Sequence, residues 1–148
     1  MIVSKANIIT TAFEKNFDTA MLKDSIIQVV EWERVLTLLG ADFYDDVVAN
    51  PNDYTTLIST YLTPYISWSV KSYITANNHF KNGNKGVQVA NGLNETASTA
   101  DEGKRIADDM ASRWKYQTLK YLKDNASSYP LWEGYAESDS IINKIIIL

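Results

Sequence analysis

The chain has 148 residues, with 14 Lys and Arg against 18 Asp and Glu, a formal net charge of −4 and no cysteine. A chain of this length can bury one hydrophobic core without disulfides or a structural metal. The lack of cysteine excludes thiol catalysis and zinc-thiolate sites, and the acidic balance gives no global case for nucleic-acid binding. We expect neither a signal peptide nor a membrane span, because no apolar run approaches about 18 residues.

The first strong pattern predicts a helix over residues 19–39, closed by Gly40 as its C-terminal cap. One apolar stripe at helical spacing comprises Leu22, Ile26, Val29, Leu36 and Leu39. A second apolar set lies off that stripe and comprises Ile27, Val30, Val35 and Leu38. The helix is therefore predicted to be either central in a bundle or shared with a neighbour.

A short helix is predicted over residues 41–49, and the sequence Asn-Pro-Asn-Asp at 50–53 breaks it. The next helical run covers residues 53–80 and is interrupted by Pro64. Thr63 and Pro64 fit either an N-cap followed by proline at the first helical position, or a kink inside one long helix. The sequence leaves both interpretations open.

A Gly- and Asn-rich loop follows at residues 77–94, and within it residues 87–89 alternate as a short strand does. The last long helix is predicted from Ser98 or Thr99 to Asn125. Its expected core stripe comprises Ile106, Met110, Trp114 and Tyr121. Tyr116 and Leu119 project from the opposite side, which predicts a second apolar face on this helix as well.

Residues 129–132 turn the chain, and residues 133–148 end in a β-branched apolar run. Such a run is an aggregation hazard unless it is covered, so we expect it to pair as a terminal strand. The predicted fold is mainly α: a small helical bundle with a minor β hairpin and a terminal strand. Residues 1–132 form the helical domain in this interpretation, and 133–148 form an extension.

The residue types needed for catalysis or metal binding form no convincing pattern. His79 is the only histidine, and a position at a helix end favours a capping or solvated role. The acidic pairs at 45–46, 101–102 and 108–109 are adjacent along the chain, so their side chains diverge by about 100° on a helix. We therefore expect no enzyme activity, no metal and no cofactor.

Two further patterns have a nucleic-acid interpretation and a simpler one. Gly83 to Gly86 matches the bare GxxG pattern of nucleic-acid clamps, but an ordinary loop is favoured over a clamp. Tyr61, Tyr65 and Trp68 form a row that could stack bases, yet apolar neighbours favour core packing.

The remaining features predict binding to partners: two helices with apolar residues on both sides, a Gly- and Asn-rich loop with a short strand, and an apolar terminal strand. A terminal strand added to a neighbour's exposed edge is an established way to join subunits. The predicted partner-binding residues are Gly83, Gly86, Val87, Gln88, Val89, Tyr116, Leu119, Ile141, Ile142, Ile145, Ile146, Ile147 and Leu148.

The order of motifs resembles the head-to-tail connector proteins of tailed bacteriophages, particularly the ring proteins of phages of Bacteroidetes hosts, including the crAss-like group. The motifs are patterns of packing residues and span most of the chain. The segments that carry the resemblance are Ile-Ile-Thr at 8–10, Leu-Leu-Gly-Ala-Asp-Phe-Tyr-Asp at 38–45, Pro64 within an aromatic helix, the Gly/Val loop at 83–89, Tyr121-Leu122 and Tyr-Pro-Leu-Trp at 129–132.

This resemblance implies a helical subunit that oligomerises, commonly as twelve copies, into a ring beneath the portal protein. It also implies double-stranded DNA passing through the ring without specific binding, further neck and tail proteins on the far side, and a virion location after assembly in the host cytoplasm. A tail-completion or tail-terminator protein of the same virion is the alternative. A nucleic-acid-binding helical module is a second one, and it predicts salt-dependent binding through Lys81, Lys85, Arg105 or Arg113.

Overall fold

The computed structural model describes residues 1–15, 17–77, 80–83, 86–89 and 97–135, and the side chains of residues 1–15, 17–76 and 102–135. The fold is mainly α, as predicted. Its α-helices are α1 (Lys5–Ala12), α2 (Asp24–Val30), α3 (Thr37–Leu39), α4 (Ala41–Ala49), α5 (Thr63–Asn77) and α6 (Ala97–Asp124). π-Helical segments cover Glu31–Leu36 and Leu57–Leu62, short 3-10 turns cover Thr19–Met21, Pro51–Tyr54 and Ala126–Ser128, and two strands are β1 (Phe80–Gly83) and β2 (Gly86–Val89).

α2, the first π-helical segment and α3 form one continuous helix over residues 24–39. It ends at Gly40, whose φ of +82° is a conformation that favours glycine, and this confirms the predicted cap. The predicted start at residue 19 is wrong. Asp18 accepts the Ala20 N–H at 3.0 Å and caps a separate 3-10 turn, after which the backbone is extended at Leu22.

The helix of residues 24–39 buries the apolar set that lay off the predicted stripe. The core side is formed by Ile27, Val30, Val35, Leu38 and Leu39. Val29, which the predicted stripe placed inside, is 37% exposed. Leu22 and Leu39 are buried as predicted. Both apolar sets fit helical spacing, so only contact with the other helices decides which one faces inward.

α4 matches its predicted bounds, and it ends where Asn50 leaves the helical conformation with φ −125° and ψ 56°.

Of the two interpretations of Pro64, the structure shows the one with a continuous helix. The π-helical segment of residues 57–62 then runs directly into α5. The Thr63 N–H bonds to the Ile58 carbonyl, five residues back. Proline has no N–H for the ladder, so the wider π turn before it keeps one continuous helix through Pro64.

α5 is the central helix, packed against α1, α2 and α6. The buried side of α6 comprises the small residues Ala107, Ala111 and Thr118, followed by the larger Leu122. The predicted stripe is wrong at Ile106, which is 47% exposed, while Met110, Trp114 and Tyr121 are half-buried. Small residues on the contact side let α5 and α6 approach closely, and the large side chains then flank the contact.

β1 and β2 pair as an antiparallel hairpin, with Lys81 opposite Gln88 and Asn82 opposite Val87. The chain after α6 closes over the bundle. Tyr129 is buried with its ring centroid 5.6 Å from that of Phe43, and the Trp132 Nε1–H donates to the Leu38 carbonyl at 3.3 Å. Tyr129 of the predicted turn therefore belongs to the core and Trp132 packs against it, while Leu131 is exposed.

Candidate interaction surfaces

The helix of residues 24–39 presents an exposed aromatic residue that the sequence reasoning missed. Trp32 is 69% exposed and lies three residues after Val29, so the two side chains are neighbours on the helix surface. Half-exposed Met1 lies beside them, across a surface cavity of about 390 Å³. We call this surface, comprising Met1, Val29 and Trp32, the Trp32 face. The helical spacing from Val29 to Trp32 was the available signal in the sequence.

Beneath the Trp32 face lies a buried carboxylate, that of Glu31, which is 1% exposed. Its Oε1 accepts the N–H groups of Ile2 at 2.9 Å and Val3 at 3.2 Å, and its Oε2 accepts the Ile2 N–H at 3.1 Å. The Tyr44 hydroxyl donates to Oε2 at 3.2 Å. A buried charge needs partners of this kind, so Glu31 ties the first residues of the chain to the bundle.

Tyr44 completes the floor of this cavity from α4. The pKa of Tyr44 is raised to about 12, chiefly because the hydroxyl is partly buried and secondly because the Glu31 carboxylate beside it is negatively charged. The hydroxyl therefore keeps its proton at neutral pH and remains a hydrogen-bond donor. Nothing in the sequence marked Glu31 as buried, because a single carboxylate in a helix is ordinarily solvated.

A second exposed aromatic residue lies on α6. Tyr116 is 65% exposed, and Leu119, three residues later, is half-buried. Together with Tyr135 they line a surface cavity of about 550 Å³. The Lys115 Nζ donates to the Tyr135 hydroxyl at 2.8 Å and lies 4.4 Å from its ring centroid, which holds this ring beside α6. We call the surface of Tyr116, Leu119 and Tyr135 the Tyr116 face.

The chain segments around the two faces differ in charge. Apart from the buried Glu31, residues 24–49, which contain the helix of the Trp32 face and α4, include five acidic residues and one basic residue. Residues 113–124, the second half of α6, include four basic residues and one acidic residue. Lys120 and Lys123 line the cavity of the Tyr116 face, and Asp45 lies close enough to Tyr44 to act on its hydroxyl electrostatically. The Trp32 face is thus set in an acidic region and the Tyr116 face in a basic one.

A polar cluster joins α5 to α6 away from both faces. Asp108 accepts the Ser72 hydroxyl and the Lys104 ammonium, each at 2.5 Å. Burial by itself would raise the pKa of Asp108, but the hydrogen bonds from Lys104 and Ser72 outweigh it and lower that pKa. The neighbouring Asp109 pairs with Arg105 at 3.4 Å on the exposed surface. These two carboxylates therefore have separate partners and share no cleft.

One further carboxylate and two aromatic residues from these patterns also have structural partners. Asp46 accepts hydrogen bonds from Tyr54 and Asn50, which lower its pKa in that order. Tyr61 stacks on Tyr121 with ring centroids 4.2 Å apart, and Tyr65 is buried. Core packing is thereby confirmed for this part of the aromatic row.

Of the predicted partner-binding residues, the structure brings Tyr116 and Leu119 together on one face. Gly83 closes β1, and Gly86, Val87, Gln88 and Val89 form β2, which pairs with β1. The predicted apolar run at residues 141–148 and His79 lie outside the described residues. No cluster of three or more His, Cys, Asp or Glu residues that could hold a metal occurs in the described part of the chain. The helices described here are also too short or too polar to cross a membrane.

Comparison with known protein families gives a match over most of the chain. The sequence family described as "Family of unknown function (DUF6712)" matches residues 26–140. No curated protein and no solved structure matches the chain. The matched range includes Trp32, Tyr116 and Tyr135, and therefore most of both faces. Because the match covers well over half of its length, the chain belongs to this family, DUF6712.

Proposed function

We propose that this chain is a structural virion protein that assembles with copies of itself into a ring at the neck of a tailed bacteriophage. The ring docks beneath the portal protein, surrounds the DNA channel and links head to tail. The subunit acts by binding neighbours and performs no catalysis.

The observation that carries this proposal is the pair of exposed aromatic residues, Trp32 and Tyr116, on two different helices. Each belongs to an apolar face beside an open cavity, and the two cavities share no lining residue. A ring is built from heterologous contacts, in which one patch of a subunit meets a different patch of the next. A chain with two distinct apolar faces has what such a contact requires.

The phage setting is supported by the resemblance of the motif order to head-to-tail connectors, which includes Pro64 and residues 38–45. These motifs have packing roles: Leu38, Leu39 and Phe43 are buried, and Gly40 joins α3 to α4. The net charge of −4 also suits a channel through which DNA passes, because tight binding to phosphates would retard passage.

The test is assembly of the purified full chain, alone and with the portal protein of the same phage. Sedimentation velocity over a wide concentration range and electron microscopy should show ring-shaped oligomers, or binding of several copies to the portal ring. The experiment with portal is essential, since isolated connector subunits can be monomeric before assembly. The proposal is overturned if the protein neither self-associates nor binds portal. A particle reconstruction with the subunit at the end of the tail would favour a tail-completion protein instead.

A further inference from the structure

We propose that the Trp32 face of one copy docks onto the Tyr116 face of a second copy, so that subunits join head to tail. This inference rests on the proposed function in that it names the contact by which the ring would be built. Its occupant is a second copy of this chain.

The apolar parts of the two faces are matched in kind. One presents Trp32 with Val29 beside it, and the other presents Tyr116 with Leu119 beside it. Trp and Tyr are the residues that most often dominate binding energy at the centre of protein interfaces. Each face also has an open cavity, of about 390 Å³ and 550 Å³, that an aromatic ring from the facing subunit could enter.

Charge decides which face pairs with which. Contact between two Trp32 faces would bring two acidic regions together, and contact between two Tyr116 faces would bring two basic regions together. Like charges facing each other across an interface disfavour binding, whereas opposite charges favour it. Lys120 is already paired with Asp124 at 2.6 Å, while Lys123 has no ion pair among the described residues and faces the cavity. The acidic surroundings of Trp32 complement that cation.

The resulting contact is heterologous and leaves one Trp32 face and one Tyr116 face open at the ends of any short chain of subunits. Such chains grow until they close into a ring or extend as a filament. This property allows a direct test with two variants that each block one face.

The first variant is Trp32→Lys, which removes the ring from the Trp32 face and places a positive charge where it would meet the basic face. The second is Tyr116→Asp, which removes the ring from the Tyr116 face and places a negative charge where it would meet the acidic region around Trp32. Both positions are exposed, so both variants should fold like the wild type by circular dichroism and thermal melting. Asn52→Lys and Asn7→Asp, at exposed positions outside both faces, repeat each introduced charge as matched controls.

Each blocked variant alone should have its self-association, or its assembly on the portal, weakened by at least about tenfold, and both controls should assemble as the wild type does. Mixing the two blocked variants in equal amounts should give a dimer with one copy of each, because each retains the face that the other needs. Native mass spectrometry separates this mixed dimer from either homodimer.

The proposal is overturned if either variant assembles normally, or if the mixture contains no mixed dimer. Normal assembly of both variants would leave the ring-forming function intact and show that its contact lies elsewhere. Loss of assembly in Tyr116→Asp alone would mean that this face takes another occupant, such as residues 136–148. Wild-type chain that never assembles, even with portal, would overturn both the pairing and the proposed function.

Discussion

The hydroxyl of Tyr44 donates to the buried carboxylate of Glu31 at 3.2 Å and so joins α4 to the helix of residues 24–39. The same carboxylate receives the backbone N–H groups of Ile2 and Val3. One charged group thus connects the start of the chain, the helix of residues 24–39 and α4. The Trp32 face lies directly over this connection, so its shape depends on Glu31.

The substitution Glu31→Gln tests that dependence. The amide oxygen at the Oε1 position would keep the N–H groups of Ile2 and Val3, but it would no longer be charged, and the amide N–H2 at the Oε2 position would face the Ile2 N–H and require the Tyr44 hydroxyl to accept instead of donate. We expect the free energy of unfolding to fall by about 2–3 kcal/mol in urea denaturation. Glu33→Gln removes the same charge from an exposed position and should change it by less than about 0.5 kcal/mol. Equal stability of the two variants would contradict the assigned role.

Asp108 should make the fold sensitive to acid. Its pKa is lower in the folded chain than the ordinary value of 3.8, because Lys104 and Ser72 outweigh the effect of burial. The stability it contributes is fully present above that ordinary pKa and is lost as pH falls through the lower pKa of the folded state. Asp108→Asn should therefore flatten the decline of unfolding free energy between neutral pH and about pH 3. Asp109→Asn is the control, with the smaller effect expected of an exposed pair.

Tyr44 should make the fold sensitive to base. Its pKa is raised from 10.0 to about 12, by burial and then by Glu31. A raised pKa stabilises the folded chain below the ordinary value, and that contribution is lost as pH rises through the folded value. Ultraviolet titration of tyrosinate should show hydroxyl groups that ionise only near pH 12, and Tyr44→Phe should reduce this late amplitude by one group. Tyr54 and Tyr65, whose pKa values are also raised to about 12, remain in that variant as internal references.

Deletion of residues 141–148 tests the terminal segment, whose apolar run predicts a contact with another subunit or the portal. Helical circular dichroism should be retained, because the buried core of the described residues ends at Tyr129. Assembly on the portal should be impaired. Replacement of Ile145 and Ile147 by Ser in the full chain is the length-matched control, and it should show the same defect. Loss of the helical signal on deletion would instead place the segment in its own subunit's core.

The π-helical segment before Pro64 and the turn at residues 19–21 could not be predicted from local sequence patterns. Pro64 is visible in the sequence, but the choice between a helix start and a continuous helix depended on whether neighbouring packing held residues 57–62 helical. Leu57 and Leu62 are both fully buried, and this burial stabilises the helix across the missing hydrogen bond. Similarly, the separate turn at residues 19–21 arises because Leu22 is drawn into the core in an extended conformation.

Local sequence was enough to predict the helical class, the cap at Gly40, the break after α4 and the outward position of Tyr116, because each follows from residues a few positions apart. Packing between helices was needed to select which of two apolar sets on residues 24–39 is buried, and it thereby placed Val29 and Trp32 on the surface. It also buried Glu31 among N–H donors from the start of the chain. Helical spacing defines faces but assigns no partner to them, and a carboxylate reveals its burial only when the groups that compensate its charge come together.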